Sequence, residues 1–231
     1  MSQTPSQMIH LVRFPNESPE YRASRNKLLE AEMALRRQTE DVAAMRRALP
    51  AGGRIPQDYV FTEGEDEKPV RLSELFGDKS VLFLYSYMYG PAMKQPCPSC
   101  TSILDGLDGQ APHIAQLAAI AAVARSPIGR FRAVAEERGW RHLRLLSSAG
   151  NSYQPDYHGE NAKGGQLPIL NVFKRGPDGN IHHAYATELL FAPDEPGQNA
   201  RHVDSIWPLW GALDFSPDGR GADTHPKLSY A

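Results

Sequence analysis

Val81-Leu82-Phe83-Leu84-Tyr85-Ser86-Tyr87-Met88-Tyr89 runs through Gly90 and Pro91 into Cys97-Pro98-Ser99-Cys100, and this stretch decides the fold. Val81 to Tyr85 is apolar on both faces, as expected of a central strand covered on both sides. Tyr85, Tyr87 and Tyr89 alternate and share one face, where they read as core or pocket wall. Beyond Pro98 the pattern turns helical. Cys97 and Cys100 are the only two cysteines of the 231 residues. A pair at this spacing at a helix start suits thiol–disulfide exchange. The first helical turn has unpaired N–H groups and a partial positive charge, both favourable to a thiolate. Cys97 is therefore the expected nucleophile, and Cys100, one turn deeper, the resolving thiol. Pro98 and Ser99 carry no charge, so added support for a thiolate falls to the helix end and to Lys94. Idle buried thiols, a zinc site and a permanent disulfide are the competing readings. No histidine pair stands near the motif to complete a zinc site, so no metal is expected.

A net charge of −2 shows no bias towards nucleic acid or anionic membrane, and 41% hydrophobic residues is ordinary for a folded chain. No apolar run approaches the ~20 residues that span a bilayer. Met1-Ser2-Gln3-Thr4-Pro5 lacks a basic region followed by an apolar run, so no secretory signal is expected. The expectation is a cytoplasmic protein, where a C-x-x-C pair is more often catalytic than structural. No P-loop or dinucleotide glycine fingerprint is present, and no cofactor is expected.

Downstream of the cysteines, Gly106 and Gly109 predict a helix kinked or broken before Pro112, with His113 at the surface. Ala118–Ala124 reads as a second buried strand and Arg125-Ser126-Pro127 as the start of a helix ending at Gly139. His142–Leu146 reads as a third strand. Strand, helix, strand, helix, strand favours a parallel sheet. Residues 147–166 are polar and Gly-rich and read as an insertion loop, either a lid or unconstrained. Leu167-Pro168 opens the strand Ile169–Phe173, and Pro177-Asp178-Gly179-Asn180 turns it into a hairpin. A cis bond is expected at Pro168 if the site needs one. Arg201–Leu213 reads as a helix carrying Trp207 and Trp210, with Pro208 near its middle.

Upstream, residues 1–17 show no pattern. Ser18-Pro19-Glu20 is a helix start, and the helical arm 18–50 ends at Pro50-Ala51-Gly52-Gly53. Tyr21, Leu28, Leu35, Val42 and Leu49 recur every seven residues, a stripe that docks on the same chain or pairs with a second copy. Tyr59–Thr62 and Val70–Leu72 read as a hairpin, with Ser73 capping a short turn. Residues 51–231 form the main domain.

Together these features resemble the thioredoxin fold: a central mixed sheet with helices on both faces, here with an N-terminal β-hairpin and a long N-terminal helix. The resemblance implies that Cys97 attacks, Cys100 resolves, and Pro168 packs beside the pair as a cis-proline. Leu167, the residue before Pro168, is expected to donate and accept with the substrate chain as an added strand does, and Pro98 and Ser99 are expected to meet substrate. More closely, the chain resembles a bacterial thioredoxin-like, peroxiredoxin-like family catalogued as a domain of unknown function. The matching stretches are Leu75-Phe76-Gly77, Tyr87-Met88-Tyr89-Gly90-Pro91, Cys97-Pro98-Ser99-Cys100, Arg125-Ser126-Pro127, Trp207-Pro208-Leu209-Trp210 and Pro217-Asp218-Gly219-Arg220-Gly221. The expected activity is a thiol–disulfide oxidoreductase acting on a disulfide-containing protein or a small thiol substrate, with a homodimer through the N-terminal helix. A thiol-dependent peroxidase and a non-enzymatic binding scaffold or redox switch are the alternatives. Against a peroxidase, the proline–threonine–cysteine spacing of peroxiredoxins, read from Pro91, meets Gln95 and Pro98.

Overall fold

The computed structural model describes residues 9–193, 195–197, 201–221 and 223–230. Residues 1–8, part of the stretch read as patternless, lie outside them. The chain divides into two units, residues 1–50 and 51–231.

The first unit is dominated by α1, Pro19–Arg47. Ser18 is its N-cap, with its hydroxyl accepting from the Tyr21 amide at 3.1 Å, and Pro19 and Glu20 fill the first turn. Both satisfy what a helix N-terminus lacks. Tyr21, Leu28 and Leu35 of the seven-residue stripe are exposed, as is Leu49 beyond the helix.

The second unit is built on a seven-stranded sheet in the order β2-β1-β5-β4-β3-β6-β7. Its strands are β1 Val60–Glu63, β2 Lys68–Arg71, β3 Val81–Tyr87, β4 Ala119–Ala124, β5 Arg144–Ser147, β6 Ile169–Arg175 and β7 Ile181–Ala186. Strands β3, β4 and β5 run parallel, as the strand–helix alternation predicts. The β1–β2 hairpin, β6 and β7 are antiparallel additions at the two edges. The core of β4-β3-β6-β7, with two helical crossovers and a terminal hairpin, is the thioredoxin-like arrangement.

Alternation along β3 sorts two cores. Tyr85 and Tyr87 face one side with Cys100, Leu104, Phe131 and Trp207. Leu82 and Leu84 face the other with Tyr59, Phe61, Phe76 and Tyr153. The first side is covered by α3 (Pro98–Ile114), α4 (Ile128–Arg138) and α6 (Pro208–Leu213). The second is covered by two short helices, α2 (Leu72–Leu75) and α5 (Tyr153–Asp156). Alanine-rich β4 lets both layers approach closely.

Four local expectations are corrected. Helix α3 continues through Gly106, Gly109 and Pro112 to Ile114. Gly106 is there for packing: a Cβ on it would lie 3.2 Å from the Pro208 ring. Pro112 falls in the last turn, where few amide bonds remain to be lost. Residues 147–166 are not a free insertion, because Tyr153 and Gln154 are fully buried and Arg125 ties the segment down through the carbonyls of Ser148 and Asn151 and an ion pair with Glu160. The expected 201–213 helix is two pieces, a 3-10 turn Asp204–Ile206 and then α6, because Pro208 opens the second helix rather than sitting inside one. Ser73 does not cap α2; Arg71 is the N-cap and Ser73 donates to Asp58.

Candidate active site

Strand β3 delivers the chain to the cysteines, and α3 receives it there. The Cys97 amide donates to the Met88 carbonyl at 3.1 Å, and the Ser126 amide to the Tyr89 carbonyl at 2.9 Å. The loop between β3 and α3 is thereby pinned at both ends to the top of the sheet. Cys97 is the N-cap of α3 with extended backbone, and Pro98 opens the helix. Cys97 is half-buried and Cys100 is buried; both are free thiols.

Two tyrosines of β3 plant their hydroxyls on the first turn of α3. Tyr85 donates to the Cys100 sulfur at 3.4 Å. Tyr87 lies 2.7 Å from the Thr101 hydroxyl, which bonds the Cys97 carbonyl at 2.9 Å. Thr101 has one proton to give, so the chain runs from Tyr87 to Thr101 to Cys97. By residue type alone these tyrosines read as core or pocket wall. The signal available was their spacing of two, which puts both on the face that carries α3.

The two sulfurs are electrostatically opposite. Cys97 is drawn down to about 6, first by the Cys100 thiol donating to it, against the upward push of burial. The amide dipoles of Cys100 and Ser99 then add to the effect, although no cap hydrogen bond closes on the sulfur. Cys100 is pushed well up because it holds the proton facing Cys97 and is buried. One proton shared in this way makes a half-buried thiolate and a buried thiol.

Lys94 is not part of this arrangement. It is exposed and lines a depression of about 410 Å³ beside Pro96, with Tyr89, Arg130 and Arg138. Arg130 lies 4.5 Å over the Tyr89 ring and donates to the carbonyls of Pro91 and Met93. A larger cavity, about 800 Å³, is lined by Tyr157, Asn171 and His183 on the opposite side of the sheet from Cys100, and contains no thiol. Among the described residues no cluster of three or more His, Cys, Asp or Glu side chains is placed to hold a metal ion. No helix there is long and apolar enough to cross a membrane.

Leu167 and Pro168 lie at the same end of the sheet. Ile169 pairs with Ser86, so Pro168 comes next along the register towards Tyr87. A Cβ on Gly90 would lie 3.1 Å from Gln166 Cγ, which brings the start of β6 against the cysteine loop. Two expectations change here. No peptide bond among the described residues is cis, so the Leu167–Pro168 bond is trans. The Leu167 amide is engaged by the Gly159 carbonyl at 2.9 Å, so that donor is committed within the chain.

Residues 12–230 match a family described as bacterial proteins of unknown function, DUF899. The chain belongs to that family. The match takes in both the arm and the sheet, so the DUF899 pattern includes α1 as well as the cysteine site. A comparison with curated proteins found no match. Among solved structures, the DUF899 chain is similar to the peroxidoxin BcpB of Mycobacterium tuberculosis, at 19% identity over 69% of this chain and 95% of that one, with a TM-score of 0.43. It is similar to the reduced 2-Cys peroxiredoxin of Plasmodium vivax, at 18% identity over 71% and 96%, TM-score 0.43. It is also similar to the exposed lipoprotein thioredoxin of Streptococcus pneumoniae, at 13% identity over 66% and 98%, TM-score 0.41.

Proposed function

We propose that the protein is a dithiol–disulfide oxidoreductase in which Cys97 attacks and Cys100 resolves. The observation that carries this reading is the placement of the pair: Cys97, half-buried, is the N-cap of α3, and the free thiol of Cys100 lies buried within its first turn beneath the Tyr85 hydroxyl. At pH 7 a group near 6 is about nine-tenths ionised, whereas an ordinary cysteine near 8.5 is only a few per cent thiolate. Cys97 is thus ready to open a substrate disulfide. The resulting mixed disulfide is closed by Cys100 from one turn below, releasing the second substrate thiol. Pro98 and Ser99 form the rim that substrate meets. Leu167 and Pro168 offer a second edge, with the Leu167 carbonyl the group left for an added strand. The substrate is a disulfide in a protein or a small molecule, and the reaction belongs in a reducing, cytoplasmic setting. The exposed stripe on α1 is assigned to pairing with a second copy.

The test is trapping. A Cys100→Ser protein incubated with a disulfide-bonded protein should accumulate a mixed disulfide on Cys97, found by peptide mass spectrometry, and the wild type should turn over. Equal trapping on Cys97 and on Cys100 in the reciprocal variant, or none on either, would contradict the assignment.

A further inference from the structure

The resolving step asks for a group that can stabilise negative charge on Cys100. Cys100 must give up its proton in the interior, yet Val81–Tyr89 contains no carboxylate. The carboxylates of α3 are committed elsewhere. Asp108 accepts from the amides of Arg141, His142 and Leu143, and Asp105 from Arg138 and Trp140. The polar side chain that reaches the Cys100 sulfur is a phenol. Tyr85 is 1% exposed, and its hydroxyl lies 3.4 Å from Cys100 Sγ.

We propose that the Tyr85 hydroxyl is a catalytic donor that stabilises the Cys100 thiolate as it attacks the mixed disulfide. The proposal rests on the dithiol reading above. A buried phenol needs a partner, and a bond from it to a thiolate is charge-assisted and roughly twice as strong as one to a neutral thiol or disulfide sulfur. The interaction is therefore strongest in the state that reacts, which is the condition for catalysis. Tyr85 keeps its proton throughout, because burial pushes the phenol far above its ordinary range. The ionisable groups acting on it are Cys100 from α3, Cys97 at the N-cap of that helix, and Tyr87 from its own strand. Its strand partners Ala122 and Leu170 are apolar.

The chemistry balances with the substrate disulfide as the only oxidant. Cys97 thiolate forms a bond to one substrate sulfur, the substrate S–S bond breaks, and the first substrate thiolate leaves. The Cys100 proton passes to that thiolate or to solvent. Cys100 thiolate, held by Tyr85, then bonds to the Cys97 sulfur. The mixed disulfide breaks, and the second substrate thiolate leaves and takes a proton from water. The substrate gains two electrons and two protons, and the pair becomes a disulfide.

The experiment is stopped-flow reaction of the reduced full chain with 5,5′-dithiobis(2-nitrobenzoate), where the first and second coloured thiolates report Cys97 attack and Cys100 resolution in turn. In Tyr85→Phe the second phase should slow by about 3- to 12-fold at pH 7, the loss of thiolate being partly offset by its greater basicity, and its pH midpoint should rise by about one to two units, while the first phase changes little. Tyr153→Phe removes a buried hydroxyl from the other core and should leave both phases unchanged. A second phase slowed less than about twofold in Tyr85→Phe, with an unmoved midpoint, or slowed equally in Tyr153→Phe, would overturn the role of Tyr85. If the wild type releases no second thiolate, the dithiol reading falls and this proposal with it. Site-specific 3-fluorotyrosine at position 85 preserves the fold and sharpens the donor: the second-phase midpoint should fall, and a fixed midpoint would refute the proposal.

Discussion

Replacing Cys100 with alanine should make Cys97 less reactive in acid and more reactive in base. The Cys100 thiol is the largest influence holding the Cys97 sulfur near 6. A hydrogen bond to a charged group is worth about 1.5–3 kcal/mol, and one pKa unit is about 1.4 kcal/mol, so the midpoint should climb about one to two units, to roughly 7–8. At pH 6 the wild-type sulfur is half ionised, and the variant should hold about 5- to 50-fold less thiolate. A more basic thiolate is also a better nucleophile, with a Brønsted coefficient of about 0.4–0.5, which returns about 3- to 8-fold. The variant should therefore react about two- to six-fold more slowly at pH 6 and about three- to eight-fold faster at pH 9. The assay is iodoacetamide modification of Cys97 followed site by site by mass spectrometry from pH 5 to 9. Two rate profiles that cross near neutrality are the expected result. Superimposed profiles with a common midpoint near 6 would refute the reasoning, because the helix end alone would then hold the thiolate.

Three further outcomes follow from the same geometry. Asp108→Ala removes the acceptor for three amides and should cost about 2–3 kcal/mol in urea unfolding. Burial works against this carboxylate, but the amide bonds outweigh it and hold it below its ordinary value. Its contribution is thus present above about pH 4 and lost as pH falls through the folded value, so wild type and variant should converge in acid; a constant gap would contradict this. Pro168→Ala should slow exchange with a protein disulfide more than with a small one, and equal slowing would remove Pro168 from the substrate edge. Leu28→Glu with Leu35→Glu on the exposed stripe of α1 should turn a dimer into a monomer in sedimentation velocity, and a monomeric wild type would contradict the pairing.

The centre of the sheet was legible because β3 and β4 are short, largely apolar runs, and because the two-residue alternation of Tyr85 and Tyr87 places them on one face. The cysteine pair was legible from its spacing and the proline that follows Cys97. What escaped depends on contacts distant in sequence. Gly106 looks like a helix breaker until Pro208, about a hundred residues later, is seen against it. Residues 147–166 look loose by composition, yet Tyr153 fills the core between Tyr59 and Phe61. The Leu167 amide looks available until Gly159 folds back onto it. Tyr85 has the residue type of a core filler, and only the seating of α3 on β3 aims its hydroxyl at a sulfur.

The central claim is that Cys97 and Cys100 form a working redox couple. The most direct test is the reduction potential of the pair, equilibrated against glutathione with free thiols trapped and counted by mass spectrometry. A reversible two-electron couple between about −300 and −120 mV is the expected result. A pair that stays reduced across that range, with no Cys97–Cys100 disulfide formed, would contradict it.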